Sequence, residues 1–286
     1  MISGTRVCVL TDSTADISPA MAAEEGVTIV PLVTTFPDGA TFADGDLTQA
    51  EFFQRMARAR QIPTTSQPPV GAFTAAYAKL LETCSHVVSI HVSSRLSGTI
   101  ESARQAAEPF GDRVSVVDSR NLSWGLAWQV LAAAREAASG SAVADVVAVA
   151  ERTRDRARLI VGLDKLDNLA RGGRIGAVSA FLGGLLDLNV LFTVDRDGTF
   201  APVARVRGRK AALRETLEFV KREMKGARSG AFCVVHAMSA DVAEQLREAL
   251  ASVYDAKELF VMQTGVVIAT HTGTGWGIGF VPDQAG

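Results

Sequence analysis

Through its first half the sequence alternates between two periods, and neither an all-helical nor an all-sheet protein can be built on that alternation. Short apolar runs at residues 6–11 (RVCVLT), 27–33, 86–92 and 113–118 have the length and branching of strands. Between them the apolar residues recur at helical spacing. Ser18 and Pro19 open a short helix that Gly26 closes. Thr48 and Glu51 form a capping box ahead of a helix running to about residue 60. Phe73, Tyr77, Leu80 and Leu81 share one stripe of a helix predicted over 70–83, and further helices are predicted over 99–107 and 122–138. Strands separated by helices of this length imply βαβ units and a mostly parallel sheet.

The pattern loosens beyond residue 156. A strand is expected over 159–163 and a short helix over 165–170, followed by a mixed glycine and apolar segment at 172–186. The turn at residues 195–198 (DRDG) between two strand-like runs, 191–194 and 199–206, reads as a hairpin. Helices over 211–225 and 240–253 then alternate with strands over 231–236, 259–262, 266–271 and 278–281. The expectation is an N-terminal α/β domain, residues 1–160, and a C-terminal α+β domain, residues 161–286. A chain of 286 residues has room for two such units.

Charge narrows the partners. Lysine plus arginine (29) nearly balance aspartate plus glutamate (31), so bulk charge draws the chain neither to nucleic acid nor to an anionic membrane. The longest segment free of charged residues, 259–282, carries too many glycines and threonines for a membrane helix. No charged-then-apolar leader precedes the first strand. Cys8, Cys84 and Cys233 are far apart and lack a CxxC pair, which reads as three buried thiols in a reducing cytoplasm. No cofactor and no metal site is expected.

Several chemistries lack their residues. There is no Walker-type phosphate loop, no paired histidines on a helix, and no G-x-S-x-G elbow. Asp44, Asp46 and Thr48 do match D-x-D-x-T, in which one aspartate attacks phosphorus and the other moves a proton. The plain reading of the same residues is a turn followed by a helix cap. Residues 271–277 (HTGTGWG) are read as a tight connection between two strands. The hydroxyl-rich loops 63–69 and 93–99 each precede a helix and hold more hydroxyls than capping needs, which favours an anionic ligand. Arg171 and Arg174 flank one basic turn, and residues 205–210 form a second basic segment.

In chain order the motifs are DSTAD (12–16), TSQP (65–68), SSRLSGT (93–99), VVDS (116–119), GGRI (172–175), the R-x-R segment within 205–210, and HTGTG (271–275). Together they resemble the DegV family of bacterial fatty-acid-binding proteins over essentially the whole chain. The resemblance implies two α/β domains with a long-chain fatty acid such as palmitate, stearate or oleate buried between them. It implies that Thr65, Ser97, Arg205 and His271 hold the carboxylate. It further implies a carrier, not an enzyme, that presents the carboxylate to a separate fatty acid kinase and so feeds phospholipid synthesis. Arg171 and Arg174 are read as partner-facing, toward that kinase. Thr274 replaces a proline usual in relatives, and residues 187–191 depart from the usual I-K-P-I strand. The competing reading is a hydrolase or phosphatase that uses Asp44 and Asp46, or Ser97 with His271.

Overall fold

The computed structural model describes residues 6–59, 61–181 and 188–283. Among these residues the strands are β1 (Val7–Asp12), β2 (Val27–Val30), β3 (Val33–Thr35), β4 (Thr41–Ala43), β5 (Thr64–Ser66), β6 (His86–His91), β7 (Val114–Asp118), β8 (Arg158–Leu163), β9 (Leu188–Val194), β10 (Phe200–Arg207), β11 (Ser229–Ala237), β12 (Asp255–Gln263) and β13 (Gly275–Pro282). The helices are α1 (Pro19–Glu24), α2 (Gln49–Arg58), α3 (Val70–Leu80), α4 (Thr99–Ala107), α5 (Ser123–Ala138), α6 (Val143–Arg156), α7 (Asp167–Arg171), α8 (Arg209–Glu223), α9 (Ala240–Val253) and α10 (Val266–Thr272).

The alternating N-terminal half forms a four-stranded parallel sheet in the order β2-β1-β6-β7. The second half forms a six-stranded mixed sheet, β10-β9-β8-β13-β11-β12, with one parallel pair at its β11–β12 edge. Helix α5 is mostly apolar around its circumference from Trp124 to Ala134 because nearly all of that stretch is buried, and its charged residues Arg135 and Glu136 come only in the last turn. It carries Trp124, Leu126, Trp128 and Leu131 into a core that joins Val88 and Ile90 of the first sheet to Cys233 and Val235 of the second. Helices α3 and α4 cover the other face of the first sheet through Phe73, Tyr77 and Ala103. Helices α8 and α9 cover the other face of the second sheet, against Trp276, Ile278 and Phe280. The layers therefore run helix, sheet, helix, sheet, helix. No helix among the described residues is long and apolar enough to cross a membrane.

Three expectations need correction. The apolar run at 266–271 is a helix, not a strand. Its first amides are met by distant carboxyl groups, with Gly265 N–H donating to Asp16 (2.8 Å) and Val267 N–H to Asp44 (3.4 Å), and these acceptors for otherwise unpaired N–H groups outweigh the β-branched composition. The run at 27–33 does not continue as one strand. It splits into β2 of the parallel sheet and β3 of a small antiparallel sheet ordered β4-β3-β5. Finally, Cys8 and Cys84 form a disulfide with their Cα atoms 6.0 Å apart, leaving Cys233 as the buried free thiol. Pairing β1 with β6 brings two cysteines 76 positions apart in sequence side by side.

Candidate functional site

The ends of four elements converge on one place. Thr65 sits on β5, fixed by its pairing with Thr34 of β3, so the TSQP motif starts on a strand and only its Gln67 and Pro68 lie in the connection to α3. His271 occupies the last turn of α10, which Gly273 ends with φ 68°. The Thr65 hydroxyl and His271 Nε2 are 2.7 Å apart and hydrogen-bonded across 206 positions of sequence. The other ring nitrogen, Nδ1, is buried against Gly172 just past α7, where even a Cβ would lie 2.2 Å away. Burial and, secondarily, the Arg174 guanidinium push the His271 pKa down to about 4. The imidazole is therefore neutral at pH 7 in the protein alone, the reverse of what a neighbouring carboxylate would impose.

Ser97 completes the approach from the loop before α4. Its hydroxyl lies 2.8 Å from that of Thr99 and accepts the Thr99 N–H. Arg174 ties the loops together, donating to the carbonyls of Gly172 (2.8 Å) and Leu96 (3.3 Å). Thr65, Ser97, Arg174 and His271 line one cavity, together with Thr14 and apolar side chains such as Leu169 and Val267. Thr14 donates to Asp12, the residue that starts the DSTAD turn, and Asp12 is held in turn by His91 and the Val92 amide.

A second cavity adjoins the first, sharing Leu122, Phe200, Ile268 and Thr272 in its wall. Its remaining surface is largely Leu159, Val161, Leu163, Phe192 and Val235 from the inner face of the six-stranded sheet. Ser123 and Thr264 border it, yet both hydroxyls donate to Asp16 instead. Burial, opposed by these bonds, raises the Asp16 pKa to about 7. The space is thus amphipathic, with hydroxyls, an imidazole and a guanidinium at one end and hydrocarbon at the other. That is the arrangement for a long apolar chain with a small anionic head.

Arg205 lies on β10, paired with Val190, which is itself paired with Leu163, so all three stand on the inner face of the sheet. It is not among the described residues lining either cavity. Arg171 is exposed at the end of α7. Arg174, read from sequence as partner-facing, is exposed and also rims the cavity. Thr274 donates to Asp164 (3.3 Å) beyond the helix that carries His271, rather than sitting in a loop around it. The substitution at residue 187 lies outside the described residues.

The competing chemistries find no assembled machinery among the described residues. Asp46 accepts the Ala43 N–H in a turn, and Thr48 and Glu51 close the capping box. Asp44 faces α10, where burial lifts its pKa to about 6. These two aspartates follow β4 of the small antiparallel sheet, not a buried parallel strand. Ser97 bonds Thr99 while His271 bonds Thr65, so the pair lacks the hydrogen bond of a nucleophile and its base. Sequence reasoning gave Thr14 and Arg174 no place at the cavity. The DSTAD turn was a signal for the first, and the GGRI turn for the second.

Known proteins share this architecture. The family model described as "Uncharacterised protein, DegV family" matches residues 6–283. A DegV domain-containing protein of Deinococcus radiodurans is 39% identical over 272 residues, 94% of this chain and 95% of that one. One from Lactococcus lactis is 34% identical, covering 94% and 97%. Among solved structures, a DegV family protein from Thermus thermophilus, described by its fatty acid binding, superimposes with a TM-score of 0.92 at 36% identity, covering 97% of this chain and all of that one. DegV of Bacillus subtilis, described as a fatty acid binding protein, gives 0.87 at 29% identity over 98% of this chain and 100% of its own.

Proposed function

The chain belongs to the DegV family, and we propose that it binds one long-chain fatty acid with its tail in the apolar cavity and its carboxylate between Thr65 and Ser97. The observation that carries this reading is the adjacency of the two cavities, which share Leu122, Phe200, Ile268 and Thr272 in their walls and so set an apolar space beside a polar one. The solved relatives described as binding fatty acids support it. Burying about fourteen methylenes at ~0.8 kcal/mol each supplies on the order of 11 kcal/mol before ordering costs. Affinity thus comes from the tail, and the polar end decides which group faces outward.

The head group needs donors more than it needs a buried counter-charge. Hydroxyls of Thr65 and Ser97 can donate to a carboxylate, with Arg174 at the rim supplying positive charge; Arg205 stands outside the described walls of both cavities. A carboxylate beside His271 would oppose the effects that hold its pKa low. In this reading the chain is a cytoplasmic carrier. A separate ATP-dependent fatty acid kinase transfers phosphate to the bound carboxylate, Arg171 and Arg174 face that kinase, and the acyl phosphate enters phospholipid synthesis.

Mass spectrometry of lipid extracted from the purified, denatured protein tests the binding reading. One C14–C18 acid per chain supports it. A protein that carries no acid and takes up none when palmitate, stearate or oleate is supplied refutes it.

A further inference from the structure

A sheet packed against helices at native density leaves no channel for an acyl chain unless side chains are withheld. The structure withholds them from one strand. β13 is the interior strand between β8 and β11, with Gly277 opposite Val161 on one side and Val235 on the other. Alternation sends Trp276, Ile278 and Phe280 to the face covered by α8 and α9. The inner face therefore carries Gly275, Gly277 and Gly279, three positions without side chains in a row.

The three glycines meet different surroundings. At Gly279 a Cβ would lie 2.4 Å from the Trp124 Cβ and 2.8 Å from its backbone carbon, so α5 rests directly on the strand there. At Gly275 a Cβ would lie 2.5 Å from the Gly162 carbonyl oxygen, so the neighbouring strand forbids it. At Gly277 the nearest atoms are the Ile160 oxygen at 3.0 Å, Val235 Cγ1 at 3.1 Å and Val161 Cγ2 at 3.7 Å, all from the flanking strands. Gly277 lines the apolar cavity, as do Val161 and Val235. A side chain at this position enters the cavity between two valines and demands only a small shift of the sheet.

We propose that Gly277 is the specificity-determining position for the acyl tail, with Val235 beside it setting how much hydrocarbon the channel accepts. The inference rests on the fatty-acid reading above and deepens it. Each methylene excluded from the cavity costs about fourfold in affinity.

The test is competition binding of saturated C12, C14, C16 and C18 acids to the wild-type protein, Gly277→Ala, Val235→Ala and the double variant. Gly277→Ala should lower the C18-to-C12 affinity ratio by about fourfold, the room of one methylene. Val235→Ala opens space at the same point and should raise that ratio. The double variant should return toward the wild-type ratio, which a purely structural role for the glycine would not produce. If Gly277→Ala does not fold, the direction of the Val235→Ala shift decides. An unchanged ratio in every folded variant, with or without a loss of melting temperature, overturns the proposal. A wild-type protein that binds none of the acids overturns the fatty-acid reading itself, a result distinct from binding without a change in ratio.

Discussion

Replacing Asp16 by asparagine should flatten the pH dependence of folding stability on the acid side of neutrality. The carboxyl is buried where Ser123, Thr264 and the Gly265 amide donate to it, and burial still carries its pKa from 3.8 to about 7. A carboxyl with a raised folded pKa binds a proton in the native state that the unfolded chain has released. Its contribution is fully present below pH 3.8 and is lost as pH rises through about 7. Three pK units correspond to about 4 kcal/mol, of which roughly 3 kcal/mol falls between pH 4.5 and 8. Asparagine has the same shape and no proton to lose, so the variant should lack this slope. Urea unfolding of both proteins at pH 4.5, 6, 7 and 8 measures the difference. The neighbouring Asp44 adds a slope of the same sign, and because its charge is felt at Asp16 the difference between the two proteins reads the pair with Asp16 as its larger member. Stability curves that run parallel across the range would refute the argument that this carboxyl is held protonated.

The remaining predictions concern the polar end of the cavity. Thr65→Ala and Ser97→Ala should each weaken fatty acid binding by about 1.5–3 kcal/mol, the value of one hydrogen bond to a charged group, with the far-ultraviolet circular dichroism unchanged. Displacement of a fluorescent fatty acid reads this directly, and undiminished affinity in the double variant removes both residues from the site. Gly172→Ala should dislodge the His271 ring, because its Cβ would stand 2.2 Å from Nδ1; a lowered melting temperature together with weakened lipid binding is the expected result, and wild-type behaviour in both contradicts it. Arg174→Ala should raise the His271 pKa, since the guanidinium is one of the two causes holding it down; an NMR titration of the imidazole protons that shows no upward movement sinks that assignment.

The sequence and the structure agree where local signals suffice and part where distant residues intervene. Helix α4 occupies the residues its period indicates, and the capping box at Thr48 and Glu51 is formed as read. Helix α10 was hidden because its β-branched run folds as a helix only when Asp16 and Asp44, more than 200 positions away, meet its first amides. Strands β3, β4 and β5 have three residues each, too few to display a period, so the strand carrying Thr65 could not be read. The ordered motifs single out Thr65, Ser97 and His271, which the fold brings to one cavity. No local rule placed Arg174 at the cavity rim, because its position follows from carbonyls in two separate loops. The Cys8–Cys84 bond likewise depends on β1 and β6 lying adjacent, which spacing alone does not reveal.

A crystal structure of the protein with palmitate bound tests the central claim most directly. The account places the carboxylate within hydrogen-bonding distance of the Thr65 and Ser97 hydroxyls, beside His271, and the methyl end among Leu159, Val161, Phe192 and Gly277. A palmitate lying in the opposite sense, or bound elsewhere with both cavities empty, would contradict it.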